Sequence, residues 1–166
     1  MANPLTLYVP IKQDPLSQAA ATAAAAVFVK NVQAGLDKAN IVHYARLALI
    51  PNLSGKGILA ICLITTFDKA MIPYLDFFWK DKSTHAAFAG VAALALNPPN
   101  PPVGNNQAAF EKFITSNNLN KPADLYQAYP DTVAKIKGAP AKPKPPVKGG
   151  AKTESKGGVK KGAKKR

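Results

Sequence analysis

The chain has little of what most enzymes use for chemistry. It carries one cysteine, Cys62, and two histidines, His43 and His85, in 166 residues. A single cysteine excludes an internal disulfide and a multi-cysteine zinc site. Cys62 lies within an apolar run, where a buried, inert thiol is expected. The two histidines are far apart in sequence and have no metal-ligating spacing. No phosphate loop, nucleophile elbow, HExxH or dinucleotide fingerprint is present, and Gly55-Lys-Gly57 reads as a hairpin turn. The start lacks the basic and apolar regions of a secretory signal. The run Ala19 to Ala26 is too short and too weakly apolar to span a bilayer. A soluble cytoplasmic protein without a transmembrane segment is expected.

The last 26 residues, Ala141 to Arg166, lack aromatic residues and have Val147 and Val159 as their only large apolar side chains. They hold ten basic residues: Lys142, Lys144, Lys148, Lys152, Lys156, Lys160, Lys161, Lys164, Lys165 and Arg166. Against these stands one acid, Glu154, so the segment carries +9 of the chain's formal +13. Such a stretch buries too little apolar surface to offset the entropy of ordering, which predicts a disordered arm. Lysines recur every four residues from Lys144 to Lys164 with glycine pairs between them, the pattern of a spacer and not of a helix. A basic arm points to a polyanion such as nucleic acid, an anionic membrane surface or an acidic protein. A solubilising terminus without a specific partner is the plain alternative.

Residues 1–140 carry a net charge of +4 and nearly all the large apolar residues, enough for one domain with its own core. Leu5 to Lys12 suits a short edge strand, with Pro10 near its end. A long helix is predicted from about Pro15 to Lys38, with Ala20, Ala24, Phe28, Val32 and Leu36 as its stripe, widened by Ala25 and Val29. Ile41 to Ile50 and Ile58 to Phe67 read as two strands joined by a hairpin turn. Asp68 is placed to cap a helix through Met71, Leu75, Phe78 and Trp79, and a second helical piece covers about Thr84 to Leu96. The proline-rich loop Asn97 to Gly104 is a rigid spacer before an amphipathic helix over Asn106 to Thr115. Asp124 to Tyr129 fits a final strand, followed by helical turns from Asp131 to Gly138.

That order is the α+β, ferredoxin-like βαββαβ plan with a helical insertion. The third strand is apolar on both faces, which requires cover on both. Helices cover one face, and a second copy is the economical cover for the other, giving a homodimeric α+β barrel.

Several short elements resemble one group of proteins. They are Leu5-Thr-Leu-Tyr-Val-Pro-Ile-Lys12, Val42-His-Tyr-Ala-Arg46, Leu63-Ile-Thr-Thr-Phe-Asp68 with Tyr74-Leu-Asp-Phe-Phe78, and Tyr126-Gln-Ala-Tyr-Pro130. The set is similar to bacterial proteins of the dimeric α+β barrel superfamily, related at fold level to dye-decolourising peroxidases. The resemblance covers roughly residues 5 to 136 and implies a barrel fold, with a peroxidase-like oxidoreductase binding haem in the barrel as an alternative function. One departure bears on activity: Lys69 follows Asp68 where that group has glycine, and the longer Gly-x-x-Asp-Gly signature is absent. Haem chemistry therefore does not carry over residue by residue.

The residues that could do chemistry are few. His43, Arg46 and Asp68 are catalytic candidates, and His43 and His85 are candidates for contacting a cofactor. Three apart on a strand, His43 and Arg46 are expected on opposite faces, with His43 beside Ala45 and Leu47 as a barrel-lining or core residue. Arg46 fits an anion clamp or an interface ion pair. His85 is expected exposed near a helix start. Tyr74, Phe77, Phe78 and Trp79 are expected to serve the core. Base stacking by the folded domain is disfavoured, because the third strand presents Ile, Leu and Ala where single-strand binders present aromatics.

Overall fold

The computed structural model describes residues 2–120 and 122–138. The basic arm, Ala141 to Arg166, lies outside the described residues. The architecture is α+β. Three strands, β1 (Asn3–Pro10), β2 (Val42–Pro51) and β3 (Ile58–Phe67), form an antiparallel sheet in the order β1-β3-β2. Five helices accompany them: α1 (Pro15–Ala39), α2 (Met71–Lys80), α3 (Lys82–Leu94), α4 (Gln107–Ser116) and α5 (Val133–Gly138).

The register fixes what each strand presents. Leu5, Leu7 and Val9 of β1 lie opposite Thr65, Leu63 and Ile61 of β3, which in turn face Ala45, Leu47 and Leu49 of β2. This face meets the helices, and Leu5, Leu7, Val9, Ile61 and Phe67 are almost wholly buried. Each such side chain taken fully from water stabilises the fold by about 1.5–3 kcal/mol. Tyr74 of α2 stacks on Phe67 with ring centroids 3.7 Å apart, and Phe78 meets Tyr74 edge-on at 4.5 Å. Desolvation pushes the Tyr74 hydroxyl pKa up, opposed only in part by the Thr65 hydroxyl.

Helix α1 begins where Asp14 accepts a hydrogen bond from Ser17 N at 2.9 Å, with Pro15 in its first turn. It ends at Asn40, whose φ of 50° is the left-handed conformation that stops a helix. Its length and apolar composition would suffice to cross a bilayer. Here Ser17, Ala21, Phe28, Val32 and Gly35 are buried. The buried stripe differs from the expected one, since Val29 is exposed and Ala20 and Ala24 are only half-buried. Near its C-terminal end Gly35, lacking a side chain, lets α1 sit directly on the start of α3, against Asp81 and Thr84. There Asp81 caps α3, accepting from Thr84 N at 3.0 Å, Thr84 Oγ1 at 2.8 Å and Ser83 Oγ at 2.7 Å.

Two expectations fail. Asp68 does not cap α2. The N-cap is Ala70, with no side-chain hydrogen bond, because Asp68 is engaged elsewhere. Nor do residues 124–129 form a fourth strand. A short 3-10 turn over Pro122–Asp124 precedes irregular chain. The outer edge of β1, where such a strand would pair, is already taken. Tyr8 N donates to Asn117 O at 3.0 Å, Leu119 N to Thr6 O at 2.9 Å and Leu96 N to Pro10 O at 2.8 Å. Asn118 Oδ1 adds a bond from Thr6 N at 3.0 Å. With its donors and acceptors satisfied, the edge offers a further strand nothing to pair with.

Candidate binding site at the open sheet face

The second sheet face lies away from the core cluster, and α5 reaches only its end, where Ile136 lines a cleft with Tyr44 and Thr66. From the register it carries Tyr8 of β1, Tyr44, Arg46, Ala48 and Ile50 of β2, and Ala60, Cys62, Ile64 and Thr66 of β3. Arg46 is the only charged residue of the three strands on this face. Ala60, Cys62 and Thr66 are buried by their larger neighbours, while Tyr44 is 52% exposed. Burial pushes the Cys62 thiol pKa up, with the Arg46 charge opposing, so the cysteine is kept protonated and unreactive.

A bulge reshapes one end of the face. Val42 pairs with Phe67 and Tyr44 with Thr66, leaving His43 as the extra residue between them. Val42 consequently packs on the core side, away from Tyr44. His43 therefore does not join Ala45 and Leu47 in lining the sheet as the plain alternation predicts. It reaches the end of β3 instead, where its Nε2 lies 3.0 Å from Asp68 Oδ1. The other oxygen, Asp68 Oδ2, accepts from Val133 N at 2.8 Å. The carboxylate thus ties β2 to the start of α5, although the partners are distant in sequence. Both side chains are mostly buried, at 16% and 10% exposed.

The turn after Asp68 forms without glycine. Lys69 takes φ 74°, a left-handed conformation, and Asn3 Nδ2 donates to its carbonyl at 2.5 Å. Lysine makes the turn at a backbone cost of about 1–2 kcal/mol.

Residues 125–136 cross the end of the open face. They are held by Val133 N on Asp68 and by Gln127, whose Oε1 accepts from Ala2 N at 3.2 Å and whose Nε2 donates to Tyr129 O at 3.0 Å. Between this segment and the sheet lies a cleft of about 550 Å³, lined among others by His43, Tyr44, Thr66, Tyr126, Tyr129 and Ile136. That volume is in the range of ligand sites. The Thr66 hydroxyl is buried there without a hydrogen-bond partner among the described residues. Tyr126 and Tyr129 are 88% and 78% exposed. An aromatic rim, apolar walls and one oriented imidazole suit a flat ring better than a charged small molecule.

Of the sequence candidates, His43 and Asp68 are brought together. Arg46 lies further along the open face and does not line the cleft. His85 belongs to a separate cluster, its ring 4.2 Å from Trp79 and 5.8 Å, edge-on, from Phe110. It is half-buried packing, not the exposed residue expected. The Nε2 of His43 lies on Asp68 Oδ1, and that of His85 lies 3.4 Å from Val103 O. A ligating histidine usually gives its other ring nitrogen to the carboxylate, keeping the unhindered Nε2 for the metal. Here Nε2 itself is spent on Asp68 and leaves Nδ1, crowded by its own Cβ. Asp76 is bonded to Lys80 Nζ at 2.7 Å and to Gln107 Nε2 at 3.2 Å. These bonds hold its pKa below the usual range, that to Lys80 first, and assign Asp76 to joining α2 and α4. Among the described residues no cluster of three metal-ligating side chains occurs. The residues missed from sequence are Thr66, Tyr126 and Tyr129. The available signal was two tyrosines before Pro130 in a stretch with few apolar neighbours.

Comparison with family models, with curated proteins and with solved structures finds no match.

Proposed function

We propose that the protein is a binding module in which the α+β domain carries a polycationic arm that contacts a polyanion. The observation that carries this reading is the partition of charge. The 26 residues from Ala141 hold +9, whereas the rest of the chain holds +4. Ten basic residues, from Lys142 to Arg166, form the polyanion-binding segment. Nucleic acid is the polyanion best suited to evenly spaced lysines, which neutralise phosphates one by one.

The domain pairs with a second copy through the part of the open sheet face that lies away from residues 125–136. Support comes from the small and apolar residues Ala48, Ile50, Cys62 and Ile64 on that face and from the single charge on its strands. The strand order β1-β3-β2 and its antiparallel pairing are those of the first three strands of a ferredoxin-like sheet, which favours the dimeric α+β barrel relationship.

The arm is tested by fluorescence anisotropy on duplex DNA at several salt concentrations, with the intact chain and a chain ending at Pro140. The intact chain should lose affinity log-linearly with salt, with a slope of about −0.9 per phosphate neutralised. It should discriminate little between sequences, since phosphate contacts position without specifying. Equal binding by the two chains would reject the arm as the polyanion site.

A further inference from the structure

The cleft at the end of the open face sits at the root of the basic arm. Ile136 lines it and α5 ends at Gly138. Lys142, the first basic residue of the arm, follows Ile136 by six residues, a reach of about 20 Å even when fully extended. The first basic residue of the arm is thus tethered within reach of Tyr44, Tyr126 and Tyr129, so a polyanion engaged there has these rings close by. Those rings are exposed and line the cleft with Ile136, with His43, itself held by Asp68, and with Asp131, whose charge Lys135 pairs. Exposed aromatic rings beside a phosphate-binding strip are what single-stranded nucleic acid needs: the strip takes the backbone and the rings take unstacked bases. Duplex DNA keeps its bases stacked inside and would leave the rings unused.

We infer that this cleft stacks one or more bases of a single-stranded nucleic acid whose phosphates the arm neutralises. The inference rests on the arm reading above and adds to it the strandedness of the partner. It also reverses the expectation drawn from the third strand. The rings come not from β3 but from β2 and from the chain crossing the face.

The test separates bases from phosphates. Full-length protein is titrated by anisotropy against a labelled oligothymidylate of about twenty nucleotides and against an abasic strand of equal length and charge. The wild-type chain should bind the base-bearing strand roughly ten-fold more tightly. A Tyr126→Ala/Tyr129→Ala variant should lose that preference while keeping its affinity for the abasic strand and its salt slope. Both side chains are largely exposed, so the variant should fold, which circular dichroism verifies. Tyr126→Phe/Tyr129→Phe should retain the preference, because stacking needs the ring and not the hydroxyl. Equal, salt-dependent binding of both strands by the wild type would overturn the cleft and leave the arm standing. So would a preference that survives the alanine variant. Absence of binding to either strand at low salt would overturn the arm reading and the cleft with it.

Discussion

Replacing Gly35 by alanine sets two effects of opposite sign against each other. In a helix interior alanine is favoured over glycine by about 1 kcal/mol, so propensity alone makes Gly35→Ala stabilising. The structure reverses the sign. A Cβ at Gly35 would lie 2.8 Å from Asp81 Oδ1 and nearer still to Thr84 Oγ1. Neither atom is a loose side-chain end. Thr84 is fully buried, and both oxygens belong to the hydrogen-bonded cap of α3. Relieving the overlap means moving α1 off α3 or breaking the cap. Overpacking costs about 1–3 kcal/mol, and a lost cap a further 0.5–2 kcal/mol. The variant should therefore be net destabilised by about 1–3 kcal/mol, read as a lower urea midpoint at unchanged m. Asp81→Ala supplies the second leg of a cycle. Once the carboxylate is gone, adding a Cβ at residue 35 should cost measurably less, a coupling expected only for touching groups. The Asp81 pKa is held low, first by Thr84 N and then by the Ser83 and Thr84 hydroxyls, with Lys38 adding a smaller effect. A depressed folded pKa means that the cap's contribution is present above the ordinary carboxylate value and is lost as pH falls through the depressed one. The deficit of Asp81→Ala should accordingly shrink on acidification. A Gly35→Ala protein as stable as wild type, or more so, would refute the packing described for α1 and α3.

Two further predictions concern the sheet. Ile64→Lys, on the open face, should convert the proposed dimer to a folded monomer in sedimentation velocity, whereas Leu63→Lys, on the helix-covered face, should unfold the domain; a wild-type monomer at micromolar concentration would contradict the pairing. Lys69→Gly should raise stability by up to about 1 kcal/mol in urea unfolding, because it relieves a left-handed lysine at some entropic cost in the unfolded chain. A loss of stability would mean that the Lys69 side chain contributes more than its backbone costs.

Much of the fold was legible because its signals are local. Ile58 to Phe67 is a strand with the bounds its apolar, β-branched run predicts, and α1 starts at the Asp14-Pro15 signal. The helix expected over Asn106 to Thr115 is α4, for which Asn106 serves as the N-cap, accepting from Ala109 N at 2.8 Å. The errors arise where a distant partner decides. The alternation Ile41 to Ile50 reads equally well with or without a bulge, and it is Asp68 at the end of β3 that draws His43 out of register. The stretch Asp124 to Tyr129 fits a short strand by itself, but Asn117 to Leu119 already occupy the edge it would join. Asp68 looks like a helix cap until Val133, far along the chain, supplies the amide it accepts. The cleft was illegible for the same reason, since Tyr44 meets Tyr126 and Tyr129 only through that long-range tie.

The central claim is that the arm and the cleft both contact nucleic acid. An NMR titration of the full-length protein with single-stranded DNA tests it most directly, because every backbone amide reports separately. Shifts concentrated in Lys142 to Arg166 and in residues 125–136, with the buried faces of α1 and α3 silent, are the expected result. Shifts confined to other surfaces, or a spectrum unchanged by the titrant at low salt, would contradict it.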